Sequence, residues 1–209
     1  MPAPVATRNK GSMGTVRRPQ PAKLFVGLLT GDETLVDVVR GALQPEFGPV
    51  DMASPAWPFT ASNYYRDELG DTVLRRFLFF DPLIDIAGLP AIKHRTNRLE
   101  HEICERTNRP RDRRPINIDP GYMTLSKLVL ATTKDYSHRL LLGDGIYAEV
   151  TLHYHAHHWQ PWPWTYADYA ADTYHAFFDQ ARNRFKQQLA GLNPAGQANN
   201  PVLGPNYQE

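Results

Sequence analysis

The sequence predicts an α+β fold: a ferredoxin-like β-α-β-β-α-β core extended by a C-terminal β-hairpin and an amphipathic C-terminal helix. Three observations predict it. Apolar runs and helical-period stretches alternate in that order between residues 23 and 118, an Asp144-Gly145 dipeptide separates two apolar-rich runs, and aromatic residues recur at helical spacing from about Asp172. With 42% apolar and 22% charged residues the 209-residue chain has the composition of a globular domain, and one domain over residues 23–192 accounts for its length.

Residues 23–29 form a short apolar run closed by Thr30-Gly31-Asp32, the pattern of a buried strand ending in a turn. Leu35, Val38, Val39 and Leu43 then recur at helical spacing, with Asp32 as the expected N-cap and Gly48 just past the end. Residues 49–57 read as extended, and Pro55 and Pro58 confine them to a sheet edge. A second strand is expected at 74–80. After Pro82, Leu89, Ile92, Leu99 and Ile103 mark one or two helices that end before Pro110. A strand reaching Ile118 completes the core. Residues 125–131 read equally as strand or short helix. The turn at Asp144-Gly145 joins strands at 138–142 and 146–154, with Ile146, Ala148, Val150 and Leu152 facing the core and Tyr147, Glu149, Thr151 and His153 facing outward. Tyr174, Phe177, Phe178, Ala181 and Phe185 define the last helix.

The formal charge of +1 is a cancellation. Residues 1–22 hold Arg8, Lys10, Arg17 and Arg18 with no acid and read as a disordered basic arm, and the Asn- and Pro-rich residues 193–209 read as a polar tail. No apolar run approaches the ~20 residues of a membrane helix. A single cysteine, Cys104, excludes an internal disulfide or a thiolate zinc site and fits a cytoplasmic location.

Most motif matches fail on context. Gly143-Asp144-Gly145-Ile146-Tyr147-Ala148 spells a dinucleotide-like string but leads into a strand. His101-Glu102 opens like a zincin motif, yet Glu105 stands where the second histidine is needed. Neither a Walker string nor a nucleophile elbow occurs. His153, His155 and His157 alternate on one strand, a spacing compatible with metal that does not by itself define a site, and no metal or other cofactor is assigned. Residues 93–114 hold eight cationic side chains, Lys93, Arg95, Arg98, Arg106, Arg109, Arg111, Arg113 and Arg114, against four acids. Those cations read either as a solvated helix face or as a phosphate-attracting surface.

The densest chemistry lies in residues 117–149, with Asn117, Asp119, Tyr122, Lys127, Lys134, His138, Arg139 and Glu149. A two-residue turn at Asp144-Gly145 would oppose Leu140 to Glu149 and His138 to Thr151, setting His138 diagonally beside Glu149. Such a pair serves equally as a general base or as a structural contact.

At this block the chain resembles a known family. Asn117-Ile118-Asp119-Pro120-Gly121-Tyr122, residues 127–135, His138-Arg139 and residues 145–152 are similar to the DUF4416 family of bacterial and archaeal proteins. So are residues 23–29, Gly48-Pro49-Val50-Asp51, Tyr64-Tyr65 with Glu68, Ile92-Lys93 with Thr96-Asn97 and Leu99-Glu100, and Trp164-Thr165-Tyr166 with Asp168-Tyr169. The resemblance implies no established activity; some members carry a GTP-binding label, which the missing Walker string does not support. It makes the matching polar residues the better candidates.

Two functional classes follow. One is an enzyme or binder of a small anionic molecule, with His138, Glu149 and Asp119 as catalytic candidates and Tyr64, Tyr65, Lys93, Asn97, Asn117, Tyr122, Lys127, Lys134 and Arg139 as ligand-binding candidates. The other is a non-enzymatic nucleotide- or RNA-binding module using the 93–114 segment with Tyr64, Tyr65 or Trp57. A protein-interaction domain is the third reading, and no membrane partner is expected.

Overall fold

The first strand, β1 (Ala22–Thr30), is buried along its whole length because it runs through the middle of an antiparallel sheet that helices cover on both faces. The computed structural model describes residue 16 and residues 19–61, 66–70, 72–110 and 113–192. Most of the expected basic arm, Tyr64, Tyr65 and the polar tail from residue 193 lie outside the described residues.

After β1 come α1 (Thr34–Phe47), β2 (Val50–Ala53), β3 (Trp57–Pro58), the single turn α2 (Arg66–Leu69), β4 (Leu74–Ile84) and α3 (Leu89–Arg106), the last entered through a short 3-10 turn. Then follow β5 (Ile116–Met123), β6 (Lys127–Thr132), β7 (Leu140–Gly143), β8 (Ile146–His155), β9 (His158–Pro161) and α4 (Asp172–Leu192). The spatial order is β2-β4-β1-β5-β6-β8-β7, with β3 on β4 and β9 on β8, and the fold class is α+β. Among the described residues no helix is long and apolar enough to cross a membrane.

Period-2 alternation divides β1 between two cores. Leu24, Val26 and Leu28 face α1 and α3, where Val39, Leu43, Leu99 and Ile103 meet Leu78, Phe80 and Ile118. Phe25 faces the other way, into an aromatic core closed by α4 through Tyr174, Phe177, Phe178 and Ala181 against Phe77, Phe79, Leu128 and Leu152. One buried cation clamps α4 down. Lys23 Nζ donates to Asp51 Oδ2 (2.8 Å), the Phe80 carbonyl (3.0 Å) and Gln188 Oε1 (3.1 Å), so its three protons all have acceptors although burial pushes its pKa down.

Several local expectations need correction. The strand expected at 74–80 continues through Pro82 to Ile84, because Pro82 falls where the β1–β4 register shifts between Lys23 and Phe25, an irregular stretch that tolerates proline. Residues 127–132 are strand. Asp32 precedes the helix cap position but still does the capping, its Oδ1 receiving the Thr34 N–H (3.0 Å). The strand before the hairpin begins at Leu140 rather than His138, and its register is one residue off the expected one: Leu140 opposes Ala148 and Leu141 opposes Tyr147, with an irregularity before Gly143. Asp144 and Gly145 both have positive φ, 53° and 72°, the geometry of the twisted two-residue turn. Glu149 and Thr151 are buried, since the segment before α4 covers the face of β8 expected to be polar.

Two glycines distinguish packing from propensity. A Cβ at Gly121 would overlap the Val129 carbonyl and the Phe25 ring, whereas one at Gly41, on the exposed face of α1, would meet nothing. Gly121→Ala should destabilise the fold by about 3 kcal/mol through overpacking, and Gly41→Ala should stabilise it by about 0.5–1 kcal/mol, both read from urea denaturation.

Candidate functional site: a gap in the sheet

The pairing of β5 with β6 is incomplete. Gly121 opposes Leu130, Tyr122 opposes Val129 and Met123 opposes Leu128, and there the ladder stops, although β5 continues along β1 as far as Ile116. Residues two apart in a strand direct their backbone groups the same way, so after Tyr122 the next donor toward β6 would belong to Pro120, which has no N–H. Proline therefore ends the ladder where the strands diverge. The side chains of α3 take over from the missing strand. Glu100 Oε1 accepts the Ile118 N–H at 2.6 Å and Lys93 Nζ donates to the Ile118 carbonyl at 3.2 Å. Lys93, Asn97 and Glu100 stand at i, i+4 and i+7, a polar stripe beside the apolar stripe of Ile92, Leu99 and Ile103. Lys93 and Asn97 of that stripe line a cavity of about 520 Å³.

The opposite wall comes from β4, the 133–139 loop, β8 and the segment before α4. Lys93 Nζ lies 3.2 Å from Asp119 Oδ1, whose other oxygen accepts from Asn117 Nδ2. Burial alone would raise the Asp119 pKa, but Lys93, Arg75 and the Asn117 amide hold it below the usual carboxylate range. Glu100 is pushed up by burial against the opposing pull of Arg114, whose Nη1 lies 2.7 Å from Glu100 Oε2. Arg75, 4% exposed, reaches the floor from β4 with Nε and Nη2 on the same Asp168 oxygen, at 3.0 and 2.8 Å. Burial opposes its charge, but Asp168 together with Tyr169, Asp119 and Tyr174 outweighs that burial and raises its pKa.

Glu149, only 3% exposed, accepts Arg139 Nε at 2.8 Å and lies 3.3 Å from His138 Nε2 through that same oxygen, Oε2. Arg139 also donates to the Lys134 carbonyl (3.1 Å) and the Tyr166 hydroxyl (2.9 Å), and its guanidinium sits 4.5 Å from the Tyr136 ring centroid. It therefore ties the 133–139 loop to the 162–171 segment. At the mouth, Tyr136, His138, Trp164 and Trp162 form a near-parallel column with successive centroids 6.1, 5.3 and 5.3 Å apart. Trp164 is 37% exposed, anchored by its Nε1 on the Val150 carbonyl at 3.1 Å.

Of the residues singled out in the sequence, Lys93, Asn97, Asn117, Asp119, Lys134, His138, Arg139 and Glu149 line this one cavity. Two do not reach it. Tyr122 points to the other face of the sheet, packed with Leu89, Val129 and Ile146, and Lys127 opposes His153 at the far end of β6. The contact between His138 and Glu149 forms although the expected register is shifted, because His138 lies in the loop before β7 and not within a strand. Sequence reasoning missed Arg75 as a site residue, and reached Trp164, Asp168 and Tyr169 only as positions of the family resemblance, without a role. The available signal was the Arg75-Arg76 pair within an otherwise apolar strand, one member of which must point inward. The histidines of β8 stay outside the cavity, and among the described residues no cluster suited to a metal occurs.

A family model matches residues 20–185, which span every element from β1 to most of α4 and hence every residue of the cavity. The chain belongs to the DUF4416 family, a domain of unknown function. No curated protein and no solved structure matches the chain. The DUF4416 match includes the Pro120 break and the Lys93, Asn97 and Glu100 stripe, so the gap lies within the region the family model describes.

Two outcomes follow from the geometry. Glu100→Ala leaves Arg114 and the Ile118 N–H without their buried partner and should cost about 3 kcal/mol, with Glu100→Gln costing less because it retains the backbone acceptor. Tyr122, Tyr166, Tyr169 and Tyr174 all have pKa values raised by burial, Tyr174 to about 12. A raised folded-state pKa contributes stability that is complete below the unfolded value, near 10, and is lost as pH rises through the folded one. The urea midpoint should fall from pH 10 to about 12 together with delayed phenolate absorbance. A midpoint constant to pH 12 would contradict the burial argument.

Proposed function

We propose that this DUF4416 domain binds a small anionic molecule in the gap between β5 and β6, with His138 and Glu149 placed to assist proton transfer on it. The observation that carries the proposal is the cavity lining: five cationic side chains, Arg75, Lys93, Arg114, Lys134 and Arg139, against three carboxylates, Asp119, Glu149 and Asp168. A polar opening of this size amid an otherwise apolar sheet suits a metabolite-sized ligand. Glu149 shares one oxygen between Arg139 and His138, so its charge is compensated before it reaches the imidazole. His138 therefore acts as a positioned proton carrier more than as a base strengthened by a free carboxylate.

A second reading, nucleotide binding, is favoured by the ring column of Tyr136, His138 and Trp164 at the mouth, a surface on which a planar base can stack. RNA binding has weaker support. Lys93, Arg95 and Arg114 of the basic segment are engaged with Asp119, with Glu46 and Glu102, and with Glu100 and Glu68, while Arg98, Arg106, Arg109 and Arg113 remain exposed. We read the core as ferredoxin-like, on the support that β2-β4-β1-β5 is an antiparallel order with two crossover helices on one face. A cytoplasmic location is supported by the single, buried Cys104.

Thermal-shift screening with carboxylates, phosphorylated metabolites and nucleotides tests the proposal. A ligand at 100 times its Kd should raise Tm by about 5–10 °C, and Lys134→Ala and Trp164→Ala should each weaken binding about tenfold. The proposal fails if no anion stabilises the protein, or if the stabilisation survives both substitutions unchanged.

A further inference from the structure

Two buried polar atoms of residues that line the cavity have no partner. Arg75 Nη1 and the Tyr169 hydroxyl make no hydrogen bond among the described residues, although Arg75 is 4% and Tyr169 1% exposed and both line the cavity. They lie together over Gly27: a Cβ built there would sit 2.8 Å from the hydroxyl oxygen and 3.3 Å from Nη1. The guanidinium is not loose. Asp168 takes its Nε and Nη2, and the rings of Phe59, Phe77 and Tyr169 surround it with centroids 5.4–5.7 Å from Cζ. Leaving a buried donor unmade is costly, and a guanidinium fixed through two nitrogens presents its third in a set direction.

We infer that Arg75 and Tyr169 form an oxyanion subsite, in which one oxygen of the ligand's acidic group accepts from Nη1 and from the tyrosine hydroxyl. This rests on the reading of the gap as an anion-binding site and names where the acidic group lies within it. Gly27 is the third component, since any side chain there would fill the space against both donors. Asp168 positions the guanidinium and also neutralises part of its charge, which fits an acid of low charge, a carboxylate or a phosphate monoester, better than a polyphosphate. The oxyanion is the chemistry the two share.

The test is isothermal titration of the full chain with phenyl phosphate and with benzoate, which separate the two acids on one ring. Tyr169→Phe removes only a hydroxyl without a partner, so Tm should hold or rise while affinity for the recognised acid falls about tenfold. Tyr174→Phe removes a hydroxyl that also approaches Arg75 but does not line the cavity, and should leave affinity within twofold. Equal binding of one acid by the wild type and Tyr169→Phe overturns the subsite while leaving the pocket intact. Binding of neither acid by the wild type overturns the subsite, and the anion-site reading falls with it if the wider screen is also silent.

Discussion

Ile118 is where the structure departs from a regular sheet. Its N–H and carbonyl belong to a strand interior, and buried backbone groups there must be hydrogen-bonded. Glu100 and Lys93 bond them in place of β6. Everything distinctive about the molecule depends on that exchange. With the backbone bonded by α3, β5 can follow β1 while β6 follows β8, and the wedge between them can hold polar side chains without stranding any peptide group. Pro120 makes the exchange one-directional, because it cannot supply the donor that would close the ladder.

The same exchange explains the charge pattern around the cavity. Glu100 buried beside a peptide needs a cation, which Arg114 provides, and Lys93 buried beside a carbonyl needs an anion, which Asp119 provides. Arg75 with Asp168 and Arg139 with Glu149 repeat the arrangement on the opposite wall. Buried pairs of this kind contribute little net stability and fix geometry more than they stabilise. What the network leaves without a partner is Arg75 Nη1 and the Tyr169 hydroxyl, below the ring column at the mouth. The aromatic core under α4 and the Lys23 clamp hold the floor rigid behind them.

Much of this was legible in the sequence. The strand at β1, the periods of α1, α3 and α4 and the Asp144-Gly145 turn follow from local patterns that tertiary packing did not override. The central polar block was legible as chemistry, and six of its candidates, with Lys93 and Asn97 of α3, line one cavity. The hairpin register was not, because the irregularity before Gly143 shifts it and nothing in Leu140-Leu141-Leu142 marks which residue is extra. The break at Pro120 was not legible, because which partner strand a proline loses depends on the sheet order. Arg75, Asp168 and Tyr169 come together only because β4 and the segment before α4 meet across the sheet face, 93 residues apart for the ion pair.

The central claim is that the opening at Ile118 is the ligand site, and backbone amide chemical-shift mapping during a phenyl phosphate titration tests it most directly. The account predicts shifts confined to Gly27, residues 59–61, Arg75, residues 93–97, 114–119 and 130–139, Glu149 and residues 164–169, together with the Trp164 indole. Shifts centred instead on the exposed leucines of β7, or on the separate recess lined by Gly31, Leu35 and Thr107, would contradict it.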